Sequence, residues 1–303
     1  MKIALLLSLF ISLNGFAQSP YIVVLGIAQD GGYPQAGCNR ECCKAVSDRN
    51  ILPQWVSCLA LIDPQTKQRW IFDATPDFKE QLQLLKKVTK NNSNDIDGIF
   101  LTHAHIGHYT GLMNLGREVM GASNVKVYTM PRMKSYLATN GPWSQLVNLR
   151  NIDLTGIAEN KTIELNEHIS IQPFLVPHRD EYSETVGFQI KTAQKSLIYI
   201  PDIDKWQKWQ ESLPQVIREN DFVLIDGTFY KDGEINRPMS EVPHPFVTES
   251  IELLKDLPIS ERNKVYFIHL NHTNPLLRKE SAAYKSLTKQ GFKVAYQGLR
   301  IGM

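Results

Sequence analysis

Three histidines stand at positions 103, 105 and 108, directly after the apolar, β-branched stretch 96–101. Such a stretch reads as a buried strand. The segment Thr102-His103-Ala104-His105-Ile106-Gly107-His108 therefore begins where a strand stops. In extended backbone, alternate side chains share a side, so His103 and His105 can reach one cation together. His108 falls at a helix start and can turn toward a second cation a few ångströms away. Neutral imidazole is a good ligand for Zn²⁺ and Fe²⁺. A surface or capping cluster is the competing account. The chain has only 8 His, and three of them crowded at one strand end favour metal. A fold for this chain has to bring strand ends to a common place.

Strand-like stretches recur at 21–28, 57–63, 69–73, 125–130, 163–165, 169–176, 186–191, 196–200, 222–226, 265–269 and 292–296. Helical patterns lie between them at 78–88, 109–120, 131–139, 206–219, 246–254 and 275–290. The first of these opens with Thr75-Pro76-Asp77, a capping hydroxyl followed by Pro and an acid. Strands cluster before helices rather than alternating with them one for one. That pattern predicts an α+β fold, an αβ/βα sandwich of two mixed sheets with helices outside. No stretch of linker composition divides residues 18–303, which read as one domain.

Ahead of that domain, Lys2 is followed by an apolar run to Leu13 and then by Gly15-Phe16-Ala17. A basic start, a short apolar stretch and small residues before Gln18 match a secretory signal peptide over residues 1–17. The expectation is a periplasmic or secreted protein with no stable membrane span once the signal is removed. Charge adds an exclusion. The 33 Lys and Arg nearly balance the 31 Asp and Glu, which gives no electrostatic case for nucleic acid as partner. A small-molecule substrate is expected instead.

Export bears on the four cysteines, Cys38, Cys42, Cys43 and Cys58. In an oxidising compartment they can pair as a disulfide. As a cluster they can hold structural zinc, although Cys38-x3-Cys42-Cys43 is not a standard finger spacing. Buried free thiols are the third account.

The histidine segment resembles the first metal motif of the metallo-β-lactamase superfamily, His-x-His-x-Asp-His. Further signals follow in the superfamily's order, each at a strand end: Pro177-His178, Ile200-Pro201-Asp202 and Phe267-Ile268-His269. A narrower resemblance, over nearly the whole mature chain, is to the coenzyme PQQ synthesis protein B family. It is carried by Gly31-Gly32-x-Pro34-Gln35 and the cysteine cluster, by Pro177-His178-Arg179, by Asp226-Gly227-Thr228-Phe229, and by the polar run from His269 to Pro275. One departure stands out: Gly107 occupies the place of the motif's acid.

The resemblance implies a metal-dependent hydrolase of an ester, amide or phosphodiester, with Zn²⁺ (one or two ions) or Fe²⁺ as cofactor. His103, His105 and His178 would hold the first metal, and Asp202 would bridge. His108 and His269 would be left for a second metal, short of one ligand. Asp202 and His108 are the candidate catalytic residues, Asp202 orienting a water or taking its proton. His272 is one candidate for the gap. Asp226 and Thr228 would support a ligating imidazole. His244, between two prolines, would line the substrate entrance, and Arg179 would bind a substrate carboxylate or pair with Asp180 or Glu181. An iron-dependent oxidative enzyme of cofactor synthesis and a non-catalytic binder or sensor are the alternatives.

Overall fold

The structure is a computed structural model and describes residues 19–48, 51–236, 238 and 241–303; the expected export segment 1–17 lies outside them. In chain order, β1 (Tyr21–Gly26), β2 (Cys58–Ile62), β3 (Arg69–Phe72), β4 (Gly98–Phe100), β5 (Val125–Thr129) and β6 (Ile152–Gly156) lie side by side in one sheet. β7 (Ile163–Asn166), β8 (Ile169–Leu175), β9 (Val186–Thr192), β10 (Ser196–Ile200), β11 (Phe222–Asp226), β12 (Val265–Ile268) and β13 (Lys293–Val294) make the second. The last strand, β14 (Arg300–Gly302), returns to the first sheet and pairs with β1.

The two sheets share one plan. In the first, β14, β1, β2 and β3 pair antiparallel, then β3 through β6 pair parallel. In the second, β7 through β10 pair antiparallel, then β10 through β13 parallel. Most parallel neighbours need crossover connections, which here are largely helical. This is the expected sandwich of two mixed sheets flanked by helices.

Residue alternation in β1 shows the layering. Ile22 and Val24 face the second sheet, in a core with Leu59, Phe72, Phe100, Phe188 and Tyr199. Tyr21, Val23 and Leu25 face the other way, against Phe78, Leu82 and Leu85 of the helix Phe78–Thr89 and Met133 and Leu137 of Pro131–Thr139. Between the sheets the aromatic rings interlock. Phe72 stacks on Phe100 at 5.2 Å between centroids and Phe100 on Tyr128 at 4.2 Å. Phe188 meets Phe72 and Phe100 edge-on, both at 5.5 Å.

Several helices are shorter than the sequence pattern suggests. The stretch 109–120 contains only the end of the helix Ile106–Tyr109, followed by a 3₁₀ turn over Thr110–Leu115. The cause is close packing: Gly111 N donates to Ala74 O, and a Cβ at 111 would lie 2.1 Å from Thr75 O. The pattern at 206–219 splits into a turn, Trp206–Lys208, and a helix, Leu213–Glu219, restarted by Pro in its first turn. The pattern at 275–290 splits likewise, and Ser281 caps the helix Ala282–Lys289 through the Tyr284 N–H. The expected strand 292–296 shrinks to β13. The helices Glu41–Ser47 and Trp143–Asn148 and the strands β6 and β14 have weak sequence signals and emerge only from the structure.

Strands β3, β4, β10, β11 and β12 deliver Asp73, His103, Asp202, Asp226 and His269 just at or beyond their carboxyl ends. The fold thus meets the demand set by the histidine segment. Phe188 is fully buried at the junction of the sheets. Phe188→Ala is expected to cost about 3–5 kcal/mol, read as a lower denaturant midpoint with an unchanged slope.

Candidate metal centre

Two groups of ligand atoms form at this edge, each with its atoms within 4.8 Å of one another: His103, His105, His178 and Asp202, and Asp30, His108, Asp202 and His269. In the first, ring centroids lie 4.4 Å apart for His103 and His105, 5.3 Å for His103 and His178, and 5.0 Å for His105 and His178. Imidazoles separated widely in the sequence are close enough to grip one ion. Asp202 belongs to both groups. Its Oδ2 lies 3.5 Å from His103 Nε2, 3.2 Å from His108 Nε2 and 3.3 Å from His269 Nε2, and its Oδ1 is 3.6 Å from His178 Nε2.

Four of the five imidazoles have an outward hydrogen-bond partner that sets which nitrogen faces the centre, and beside His178 an acid stands just beyond hydrogen-bond distance. Thr102 Oγ1 donates to Asp73 and therefore accepts from His103 Nδ1, at 3.0 Å. His108 Nδ1 donates to Asp73 Oδ2 at 2.7 Å. His105 Nε2 faces Glu181 Oε2 at 3.3 Å. His178 Nδ1 lies 3.6 Å from Asp204 Oδ1. His269 Nδ1 donates to Thr228 Oγ1 at 2.9 Å, and Thr228 Oγ1 donates to Asp226 Oδ1 at 2.7 Å. Outward donation of this kind leaves the other nitrogen as a lone pair and makes it more basic.

Those inner lone pairs converge without a donor between them. His103 Nε2 and His105 Nδ1 are 2.8 Å apart, and the outer partners leave both as acceptors. His108 Nε2, His178 Nε2, His269 Nε2, Asp30 Oδ1 and Asp202 Oδ1 are buried with no hydrogen-bond partner. Buried acceptors left unmatched are costly, and a divalent cation satisfies them together. Nitrogen and carboxylate donors in this number suit zinc or iron.

The electrostatics agree. Burial works against charge at Asp202, yet His269, His178 and His244 hold its carboxyl well below the usual range. Burial also opposes the Asp30 anion, and the imidazoles of His108 and His269 hold it well below as well. Burial, helped by neighbouring imidazoles, pushes His103 well below its ordinary value, so it is neutral and ready to ligate. Burial alone would do the same to His108, but Asp73, Asp202 and Asp30 push it well above. Three acids around that ring favour positive charge at Nε2, a proton that a bound cation would replace.

His244 completes a third contact set. Its Nδ1 lies 2.8 Å from Asp226 Oδ2 and 3.1 Å from Asp202 Oδ1; the hydrogen bond goes to Asp226. Burial lowers its affinity for a proton, but the two carboxylates outweigh this and push the imidazole up to about 10. The ring borders a cavity of about 450 Å³ whose wall also includes Gln29, Gln35, Arg179, Asn271 and His272. Arg179 both lines this cavity and pairs with Glu181 at 3.5 Å.

His272 does not join the second group. Its Nδ1 lies 3.5 Å from Cys42 Sγ and 3.3 Å from Cys43 Sγ, and with Cys38 these atoms form another cluster of potential ligands. All four cysteines are free. Cys38 and Cys42 Sγ are 3.8 Å apart, well beyond disulfide length. Three sulfurs and one imidazole match a closed structural zinc set. Cys58 stands apart, buried, with its Sγ donating to Asp73 O.

Asp30, Asp73, Asp204 and Glu181 carry site roles that sequence reading passes over. Asp30 sits four residues beyond β1 and Asp73 one residue beyond β3, so strand-end acids were the available signal. Asp73 and His269 hold left-handed backbone, φ 67° and 62°, an outlier class that gathers at functional positions.

The chain belongs to the beta-lactamase superfamily domain family, which it matches over residues 68–270. That span holds the histidines of both groups and Asp202, but not Asp30 or the thiol cluster. Within this class the chain is similar to coenzyme PQQ synthesis protein B. It is 27% identical to the Methylococcus capsulatus protein, across 92% of this chain and 99% of that relative. The solved Zn(2+)-bound PqqB from Methylobacterium extorquens superposes with a TM-score of 0.78 at 26% identity, covering 93% of this chain and 100% of that one. A diphosphatase from the PhnP family shares the fold, with a TM-score of 0.64 at 19% identity over 94% and 98% of the two chains.

Asp73 accepts from Thr102 N, Thr102 Oγ1 and His108 Nδ1. Asp73→Ala is expected to weaken metal binding at the His108 position by about 10–100-fold, measured by competition with a chelator of known affinity.

Proposed function

We propose that this chain is an exported metal-dependent hydrolase acting on an ester, amide or phosphodiester bond of a small molecule. The observation that carries the reading is the set of five buried, unpartnered acceptors aimed at one centre: His108 Nε2, His178 Nε2, His269 Nε2, Asp30 Oδ1 and Asp202 Oδ1. His103, His105 and His178 would hold one cation, His108, His269 and Asp30 another, with Asp202 between them. When bound, divalent metal there supplies a water acidified toward neutral pH and an electrophile for the scissile group.

The chain's own residues do the rest. Asp202, ionised and shared by both positions, can accept a hydrogen bond from the attacking water and so orient it. Asp226 holds His244 beside Asp202 and the cavity. Arg179 places positive charge at the cavity wall, suited to a carboxylate or phosphate on the substrate. Similarity to the Zn(2+)-bound PqqB supports zinc. The run from Lys2 to Ala17 supports export to the periplasm or medium.

A second reading has its own support. The relatives matched along nearly the whole chain are named for coenzyme PQQ synthesis, and three His with a carboxylate also suit Fe²⁺. Under that reading the chain is an iron-dependent oxidative enzyme of cofactor assembly.

Elemental analysis of protein purified without added metal separates the two. Zinc with turnover in ester, lactam or phosphodiester panels is expected; iron with substrate-dependent O₂ consumption favours the second reading. His103→Ala is expected to lose the first metal and at least about 100-fold in kcat/KM, with unchanged circular dichroism. A fully loaded parent that turns over nothing in these panels rejects the hydrolase and leaves a binding role.

A further inference from the structure

Position 107 lies in the helix Ile106–Tyr109, directly before His108. Glycine there goes against helix propensity by about 1 kcal/mol relative to alanine. The backbone does not ask for it, since Gly107 is not among the residues with positive φ. What demands it is space. A Cβ at 107 would lie 2.3 Å from Asp30 Oδ1, 2.8 Å from Asp30 Cγ and 2.8 Å from Asp30 Cα. Contacts that short do not occur, and one involves backbone, so a rotamer change alone does not relieve them.

Asp30 uses the space to reach the centre. Its Oδ1 is buried and has no hydrogen-bond partner. It stands 3.1 Å from His108 Nε2 and 3.4 Å from His269 Nε2, opposite Asp202 Oδ2 at 3.2 and 3.3 Å from the same two nitrogens. Two imidazoles and two carboxylates thus surround one point, and one acid comes from the loop after β1.

We propose that Asp30 and Gly107 are a reciprocal pair: Asp30 is the acid ligand that completes the second metal position, and the missing side chain at 107 is what admits it. The two places cannot both carry an acid. This inference deepens the two-metal reading above and concerns the composition of its second position. The binding position also becomes continuous with the substrate wall, because Gln29, next to Asp30, borders the cavity.

The test is metal stoichiometry, with no need for a known substrate. Parent and variants are equilibrated with Zn²⁺, desalted and measured for zinc per chain; titration calorimetry with Zn²⁺ follows the weaker site. Asp30→Gly, and the near-isosteric Asp30→Asn as a guard against misfolding, are expected to carry one zinc fewer than the parent and to bind it about 100-fold more weakly. Gly107→Asp alone is expected to lose the same zinc by displacing Asp30. Adding Asp30→Gly to Gly107→Asp is expected to cost less zinc affinity than Asp30→Gly costs the parent, because Asp30 is already displaced, a non-additive result typical of residues in contact.

The pair is rejected if Asp30→Gly and Asp30→Asn keep the parent's zinc, if Gly107→Asp alone binds zinc as tightly as the parent or more so, or if Asp30→Gly costs as much zinc affinity in the Gly107→Asp background as in the parent. Loss of hydrolysis does not enter this test. A parent with full zinc and no turnover refutes the hydrolase and leaves the pair standing.

Discussion

A single buried carboxylate organises this edge of the molecule. Asp202 lies within 3.6 Å of His103, His108, His178, His244 and His269, and belongs to every ligand group except the thiol cluster. Its backbone turn is pinned from two sides: Ile203 N donates to Asp226 Oδ2, and Asp204 N donates to Pro177 O. Asp226 thus braces the turn after β10 while it also orients His244 and, through Thr228, His269. An isolated carboxylate in such a place would not stay ionised. The surrounding imidazoles, and a cation when present, make the anion tenable.

Around this centre the chain builds a second layer from strand termini. Thr102, Asp73, Glu181, Asp204 and Thr228 each face one ligating ring from outside. Two members of the assembly, Asp73 and His269, occupy left-handed backbone that costs a non-glycine residue about 1–2 kcal/mol. The sandwich core, where Phe72, Phe100, Phe188 and Tyr199 are fully buried, supplies the rigidity that keeps such positions populated.

Much of this was legible in the residue order. The clustering of strand-like stretches before helices, and the strand-end placement of His103, His178, Asp202 and His269, pointed to the sandwich and to its ligating edge. Short elements escaped because a few residues carry no periodicity: β13 spans two residues and β14 three. Asp30 escaped for a different reason. It fills a gap left 77 positions away, and no local pattern in Gln29-Asp30-Gly31-Gly32 says what it will face. His272, three residues from His269, likewise looked like a ligand to fill the gap in the second position. The turn between them sends its ring toward Cys42 and Cys43 instead.

The two ligand groups differ in how much chain each one needs. All four members of the first lie between residues 103 and 202; the second runs from Asp30 to His269. An ion in the second position would tie the loop after β1, in the first sheet, to the end of β12, in the second, so its binding energy would act as a clasp between the two sheets.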